Sequence, residues 1–296
     1  MNKTITVFTP TYNRGYIIME LYQSLIQQTC DDFEWLVIDD GSTDETEKYF
    51  LDLLKQKHPF PIRYIKKKNG GKHRAINDGV KLAQGKLFFI VDSDDQLTYD
   101  AIEKILKIYA GVAGLKGYAG VAGLRGNDVS KMIGTTFTGE WIDATSLERE
   151  KYKIEGDKAE VFYTDILRKY PFPEFAGENF VTEAIVWNRI AESGLKLRWF
   201  NEIIYLCEYR EDGLTNNLDN INKRNPQGYA LNMTENIRFG NYTKRDIVNI
   251  YYHYYIIVSE NVSISQCAQY LHISVWKMRY IVFRCKIRDR IRKICK

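Results

Sequence analysis

Lys86-Leu-Phe-Phe-Ile-Val-Asp-Ser-Asp-Asp95 is a short apolar run that ends abruptly in carboxylates. Such a run reads as a strand buried on both faces, as in a parallel sheet flanked by helices. The carboxylates then sit at its C-terminal end, the edge where open α/β sheets bind ligands. Clustered acids there point to a divalent cation held by hard oxygen atoms. If strand alternation persists that far, Asp92 and Asp94 face one side and Ser93 and Asp95 the other. The competing reading is an acidic turn capping a helix that begins near Thr98-Tyr-Asp-Ala-Ile-Glu103.

The sequence before this run supplies its neighbours in the sheet. Thr4-Ile-Thr-Val-Phe-Thr9 is rich in β-branched residues and stops at Pro10, which predicts a first strand followed by the loop Thr11-Tyr-Asn-Arg-Gly15. A helix follows, with Ile18, Leu21, Leu25 and Tyr22 on one face. Phe33-Glu-Trp-Leu-Val-Ile38 is a second strand, and Asp39-Asp-Gly-Ser-Thr-Asp44 a turn carrying N-cap residues. Pro61-Ile-Arg-Tyr-Ile65 is a third strand, and Ala75 to Gln84 a helix leading into the carboxylate-bearing strand. The alternation implies parallel strands with right-handed crossovers, so the strand ends near Thr11, Asp39 and Asp94 gather along one edge. Between the third strand and its helix, Lys66-Lys-Lys-Asn-Gly-Gly-Lys-His-Arg74 is polar and basic. A basic loop beside an acidic metal site suits a diphosphate, with Lys72 and Arg74 as its oxygen partners. The plainer reading of both is a solvated loop.

At 296 residues, 45% hydrophobic and 27% charged, the chain has an ordinary globular composition, without disordered or collagen-like bias. Five scattered cysteines, with no C-x-x-C pair, argue against a disulfide framework or a zinc site and fit a reducing compartment. No stretch ahead of the first strand reads as a signal peptide, and no apolar run approaches membrane-spanning length, so the expected location is cytoplasmic or peripheral. The net charge of +4 conceals an asymmetry, because Lys277 to Lys296 holds nine basic residues against Asp289 alone. A neutral-to-acidic body with a basic appendage is not a general nucleic-acid binder.

Four motifs stand in order: Thr9-Pro-Thr-Tyr-Asn-Arg14, Asp39-Asp-Gly-Ser-Thr-Asp44, Asn69-Gly-Gly-Lys-x-x-Ala-x-Asn77 and Asp92-Ser-Asp-Asp95. Each alone is weak; as an ordered set at these separations they resemble family 2 glycosyltransferases of the GT-A fold, of the bacterial polysaccharide type. The resemblance runs from about Lys3 to about Thr215. It implies an α/β, Rossmann-like, mostly parallel sheet flanked by helices, followed by a helical C-terminal extension. It also implies a nucleotide-sugar donor, a UDP-sugar, with Pro10, Thr11, Tyr12 and Asp39 at its base and ribose. Asp94 would bridge Mn²⁺ or Mg²⁺ to the diphosphate, assisted by Asp92. Arg14, Asp40, Asn69, Lys72, Arg74, Asn77 and Ser93 complete the implied donor set. The expected division is a donor half over residues 1–98, an acceptor half over 99–225 and a helical extension over 226–296. The expected chemistry is inverting transfer of a hexosyl or N-acetylhexosaminyl group to a glycan or lipid-linked acceptor. A nucleotidyltransferase on a similar sheet would want a glycine-rich loop directly after the first strand, where this chain has Pro10-Thr-Tyr-Asn13.

Three features lie beyond these motifs. Tyr109 to Gly117 and Tyr118 to Gly126 are a nearly identical tandem repeat, too short for a solenoid. One copy is expected to supply a strand and the other a surface excursion, with no sequence reason to prefer either. Next, family members place a Glu-Asp pair before a helix, the Asp serving as general base; here the pair is Glu178-Asn179, and Asn cannot accept a proton. Base duty then falls to Glu178 or, one turn on, to Glu183, with Phe180, Ala184 and Trp187 on one helical face. Arg210, in Glu208-Tyr-Arg-Glu-Asp-Gly-Leu-Thr215, matches the family segment that closes over the diphosphate, and Asn216 to Asn225 reads as a boundary.

The C-terminal end carries two readings. Tyr280, Phe283, Ile287, Ile291 and Ile294 form one helical stripe and Arg284, Arg288 and Arg292 another, which suits an interfacial helix on an anionic membrane surface, the cytosolic face. The bland reading packs the apolar stripe on the domain. Ser265 to Met278 also resembles a helix-turn-helix, with Ala268, Leu271, Ile273 and Met278 as its apolar positions; on that reading the protein is DNA-associated.

Overall fold

The computed structural model describes residues 3–207 and 218–294, with side chains to residue 290. The chain divides into two compact units: Met1–Phe172 with Val186–Glu208, and Pro173–Ile185 with Tyr209–Lys296.

The first unit is built on a sheet. Its opening elements are β1 (Ile5–Thr11), α1 (Ile18–Ile26), β2 (Phe33–Asp39), α2 (Thr46–Leu53), β3 (Ile62–Lys66), α3 (Lys72–Leu82) and β4 (Leu87–Ile90). Every position of β1 and β2 is buried, as expected of strands covered on both faces. β3, β2, β1 and β4 lie side by side and parallel. Ile5 is level with Phe33 and Leu87, and Thr11 with Asp39, so the carboxyl ends of these strands open along one edge. Ile18, Leu21 and Leu25 form the buried face of α1, as its periodicity predicts. α3 settles onto β1 through Gly79, where a Cβ would come within 2.2 Å of the Phe8 ring.

The second half of this unit is β5 (Gln96–Leu97), α4 (Ala101–Ala110), β6 (Tyr118–Gly126), β7 (Trp141–Ala144), β8 (Lys158–Tyr163), α5 (Thr164–Lys169), α6 (Ala184–Glu192) and β9 (Lys196–Leu206). β8 runs antiparallel to both β4 and β6, β6 runs parallel to β9, and β5 and β7 both pair antiparallel with β9. The expected parallel sheet therefore occupies the first half and continues into a mixed one, with residues on both sides of position 98 in a single sheet. The tandem repeat divides by role. Its second copy is β6, and its first ends α4 and forms the turn after it. At Gly120 of β6, φ is 152° and a Cβ would approach the Val161 carbonyl oxygen to 2.0 Å, so glycine permits the close pairing with β8.

Two boundaries depart from expectation. α3 starts at Lys72, directly after Gly71 at φ 95°, so Lys72 and Arg74 stand on its first turn and not in a loop. α6 starts at Ala184, which leaves Phe180 outside the helix; its buried positions include Ile185, Val186 and Ile190.

The second unit is helical, with α7 (Leu218–Arg224), α8 (Pro226–Phe239), α9 (Lys244–Val258), α10 (Ile264–Tyr270) and α11 (Val275–Ile294). The stretch read as a boundary at 216–225 thus contains α7. Capping boxes, Thr243 with Asp246 and Ser263 with Gln266, start α9 and α10. Tyr254, Val258, Cys267, Ala268, Met278 and Ile281 form the centre of its core. α10 and α11 make the helical pair expected from the sequence, with Ala268, Leu271 and Met278 buried and Ile273 packed against the core. The facing of α11 leaves the described part of the predicted apolar stripe outward and buries a second apolar set, against the alternative in which the stripe packs on the domain. Met278, Ile281, Val282 and Cys285 turn inward, whereas Tyr280, Phe283 and Ile287 are exposed. The side chains of Ile291, Arg292 and Ile294 lie outside the described residues. Among the described residues no helix is long and apolar enough to cross a membrane.

Candidate active site

The site lies at the carboxyl ends of β1, β2 and β4. β1 ends in Pro10 and Thr11, both buried, and the chain then turns through Asn13 at φ 53°. That turn is held to the loop after β2. The Asn13 amide donates to Ser42 Oγ (2.8 Å), the Thr43 amide to Asn13 Oδ1 (2.8 Å), and the Gly15 amide to Asp44 Oδ2 (3.0 Å). Tyr12 between them is exposed. Thr11 Oγ1 is buried without a hydrogen-bond partner among the described residues, a polar atom for which a ligand group would supply the missing bond.

At the end of β2, Asp39 and Asp40 do different work. Asp39 is buried, accepts from the Ser42 amide (2.7 Å) and receives the Tyr64 hydroxyl. Each of its oxygens keeps further acceptor capacity. Asp40 is spent on the backbone. Its two oxygens accept the amides of Gly70 (2.9 Å) and Gly71 (2.6 Å), and its carbonyl accepts the Asn69 side chain (2.9 Å). Burial raises the Asp40 carboxyl above its usual range, against the pull of these amides. Asp40 and Asn69, expected at the donor, therefore shape the loop that precedes α3. Asn77 is likewise engaged in structure. Its amide donates to the Phe172 carbonyl (3.0 Å) and its oxygen accepts the Phe172 amide (2.8 Å), a two-bond clamp across the unit.

The acids after β4 do not continue the strand. β4 ends at Ile90, and residues 92–95 form a turn closed by the Asp95 amide on the Asp92 carbonyl (3.2 Å). The alternation that would pair Asp92 with Asp94 against Ser93 and Asp95 therefore stops short of them. Asp92 meets Lys72 Nζ at 2.7 Å, and Asp94 lies 3.7 Å from the Arg14 guanidinium. Their side chains are 26% and 23% exposed, open enough to meet a ligand, while Ser93 and Asp95 are buried. Burial works to raise the Asp92 carboxyl, but Lys72 and Arg125 outweigh it and hold it below the usual carboxylate range. Asp95 goes the other way, pushed up to about 7 by burial and by the charge of Asp92. Arg74 sits on the first turn of α3 with its guanidinium on the Gly70 carbonyl (2.6 Å).

Two residues of this cluster carry no local sequence signal. Tyr205 of β9 donates to Asp95 and accepts the Asp92 amide, while the Arg125 guanidinium stacks 4.1 Å from the Tyr205 ring. The one available hint for Arg125 is that the first repeat copy has Lys116 at the matching position.

Among the described residues no group of three or more His, Cys, Asp or Glu is arranged to hold a metal ion. Asp92 and Asp94 are nonetheless hard oxygen donors on an open rim, and a magnesium-type site commonly takes one or two carboxylates with the remaining positions filled by phosphate oxygens and water. The donor set fits a divalent cation completed by a ligand.

Glu178 lies in the helical unit and is buried. Its oxygens accept the amides of Gln227 and Gly228, both at 2.8 Å, at the start of α8. Asn225 locks the same segment by accepting the amides of Asn179 (2.7 Å) and Phe180 (3.0 Å). The carboxylate expected to act as a base is engaged as a helix cap. Glu183, just before α6, is partly exposed. Arg210 lies outside the described residues.

Residues 6–113 match the family model described as glycosyl transferase family 2. Glycosyltransferase GlyG of Streptococcus pneumoniae is 32% identical over 105 residues, 36% of this chain and 35% of GlyG. Chondroitin synthase of Escherichia coli is 37% identical over 102 residues, 34% of this chain and 15% of the synthase. The chain thus spans well under two thirds of these relatives. In fold it is similar to S. aureus TarS 1–349 in complex with UDP-GlcNAc (TM-score 0.56, 18% identity, 90% of this chain and 70% of that one). It is also similar to the mannosyltransferase PcManGT of Pyrobaculum calidifontis in complex with GDP-Man and Mn²⁺ (TM-score 0.55, 18% identity, 92% of this chain and 72% of that one).

Proposed function

We propose that this chain, whose residues 6–113 belong to glycosyl transferase family 2, transfers a hexosyl or N-acetylhexosaminyl group from a UDP-sugar to a glycan or lipid-linked acceptor, with inversion. The observation that carries the reading is the rim formed by Asp92 and Asp94 with Lys72 and Arg14, at the sheet edge that also holds buried Thr11 and Asp39. Carboxylates for a cation and cations for a phosphate, side by side, match the charge pattern of a nucleoside diphosphate. The complexes of TarS with UDP-GlcNAc and of PcManGT with GDP-Man and Mn²⁺ support the same class of donor.

In this reading Thr11, Pro10, Tyr12 and Asp39 take the base and ribose. Lys72, Arg14 and Arg74 take phosphate oxygens, and Arg210 is added over the diphosphate. Mn²⁺ or Mg²⁺, held by Asp94 and Asp92, would neutralise charge on the departing diphosphate. An acceptor hydroxyl gives its proton to a carboxylate and attacks the anomeric carbon in line as the bond to phosphate breaks, so no covalent sugar intermediate forms. Glu183 is the proposed base, because both oxygens of Glu178 are engaged by backbone amides. Polysaccharide synthesis at the cytosolic face of a membrane is the setting that would bring a lipid-linked acceptor within reach.

The test is thermal unfolding with UDP-sugars and GDP-sugars, each with and without Mn²⁺. A ligand present at about a hundred times its Kd and binding only the folded state adds about 2.7 kcal/mol, a rise of several degrees. A Mn²⁺-dependent rise with a UDP-sugar is expected. No rise with any nucleotide sugar would overturn the reading, and a rise with GDP-sugars alone would reassign the nucleotide.

A further inference from the structure

α11 presents an outward face unlike an ordinary solvated helix. Trp276 is 78% exposed, Tyr280 61%, Phe283 67% and Ile287 42%. At about 100° per residue these four lie within roughly 60° of one another around the helix axis. Met278, Ile281, Val282 and Cys285 occupy the opposite side and are buried in the helical unit. The helix is therefore already anchored by one apolar face, and the aromatic stripe is a second face that the unit's core does not use.

Charge says what the stripe fits. Arg279, Lys286 and Arg290 border it on one side and Lys277 and Arg284 on the other, all exposed. Among the described residues of α11 the only acid is Asp289, which is turned toward the back and paired with Arg288. An aromatic and aliphatic ridge between two basic borders matches the layering of an anionic lipid surface. The rings enter the acyl boundary, Trp and Tyr sit at the headgroup level, and long basic side chains reach back to phosphates. A DNA-reading helix would instead offer polar groups to base edges, and here four large apolar side chains occupy that outward face. A second copy of this chain would bring the basic borders of both copies together.

We infer that this outer face of α11 docks the protein on an anionic membrane, with Trp276, Tyr280 and Phe283 entering the interface and the flanking arginines and lysines holding lipid phosphate. The inference deepens the membrane setting proposed above, yet it does not depend on the donor, so its failure would leave the sugar-transfer reading standing.

The test is sedimentation of the full chain with vesicles of phosphatidylcholine alone and of phosphatidylcholine with phosphatidylglycerol, at low and high salt. Binding to the anionic vesicles only, weakened by salt, is expected. The W276S/Y280S/F283S variant should lose at least tenfold in vesicle affinity while keeping its thermal unfolding midpoint, because all these side chains are exposed. R279E/R290E should lose binding and its salt dependence together. A wild-type protein that stays in the supernatant with anionic vesicles at low salt would overturn the inference. So would vesicle binding unchanged in the triple variant, concentration-dependent dimerisation abolished by that variant, or binding to duplex DNA in preference to vesicles.

Discussion

The Tyr205 hydroxyl donates to Asp95 Oδ2 at 2.6 Å and accepts the Asp92 amide at 3.0 Å, so one phenol from β9 fixes two points of the acidic turn after β4. The pair is buried, and the turn's geometry depends on it. Asp95 stays protonated up to about pH 7, whereas an unfolded Asp titrates near 3.9. The folded state thus binds more protons in this window. The contribution of Asp95 to stability is full below about pH 4 and is lost as pH rises through about 7. Asp95→Asn, which keeps an acceptor for Tyr205, should flatten the pH dependence between those limits. Urea midpoints of both proteins across that range check this, and parallel curves would refute it.

Asp94→Ala should abolish transfer, lowering kcat/KM by about a hundredfold or more if a cation on the diphosphate is lost. The unfolding midpoint should move little, because Asp94 is partly exposed and its contact with Arg14 is long, at 3.7 Å. Donor hydrolysis in Mn²⁺ together with a melting curve gives both values. A destabilised but fully active variant would remove Asp94 from the site.

Glu178 and Glu183 separate by measurement. Glu178→Ala removes the acceptor of two buried amides at the start of α8 and should cost about 1–3 kcal/mol of stability. Glu183→Gln should keep stability and donor affinity while losing turnover, as expected of a group that acts on the acceptor. If Glu178→Gln is inactive at unchanged stability while Glu183→Gln turns over normally, the roles are reversed.

Asn77→Leu should cost about 1–3 kcal/mol, since the amide and carbonyl of Phe172 lose their partner in a buried setting. Donor affinity in the surviving folded protein should stay within a few fold. A calorimetric titration that instead finds most donor affinity gone at unchanged stability would return Asn77 to the donor site.

Lys158 is buried, and its ammonium donates to the carbonyls of Ile133 (3.1 Å), Asp157 (3.4 Å) and Glu155. Burial first, then Arg149, lowers it to about 8, whereas an unfolded Lys titrates near 10.4. Between these values the unfolded chain binds more protons, so stability from this group rises with pH and is lost as pH falls through about 8. Lys158→Met should remove that rise, as measured by denaturant midpoints from pH 7.5 to 10.

The amino-acid sequence determined the parallel half of the sheet and the gathering of the candidate residues along one edge of it, because both rest on local patterns. Buried strands announce themselves as apolar runs, α1 as a periodic face, and the ligand edge as the acids and glycines where those runs stop. Tertiary structure decided what each polar residue does there. Asp39 and Asp40 are neighbours of one type, yet Asp40 is consumed by the amides of Gly70 and Gly71, 30 and 31 residues away. Tyr205 enters from 110 residues beyond Asp95, a distance over which no motif reports. Glu178 reads as a base from its position before a helix and becomes a cap because the start of α8, some 50 residues on, folds against it. The two repeat copies, nearly identical in sequence, become a strand and a helix end, since only one is placed for pairing with β8 and β9. The outward face of α11 was likewise settled by packing. Its sequence holds two apolar stripes, and burial of Met278, Ile281, Val282 and Cys285 left the aromatic one facing out. Side-chain periodicity fixes which residues share a face, and only the neighbouring elements fix where that face points.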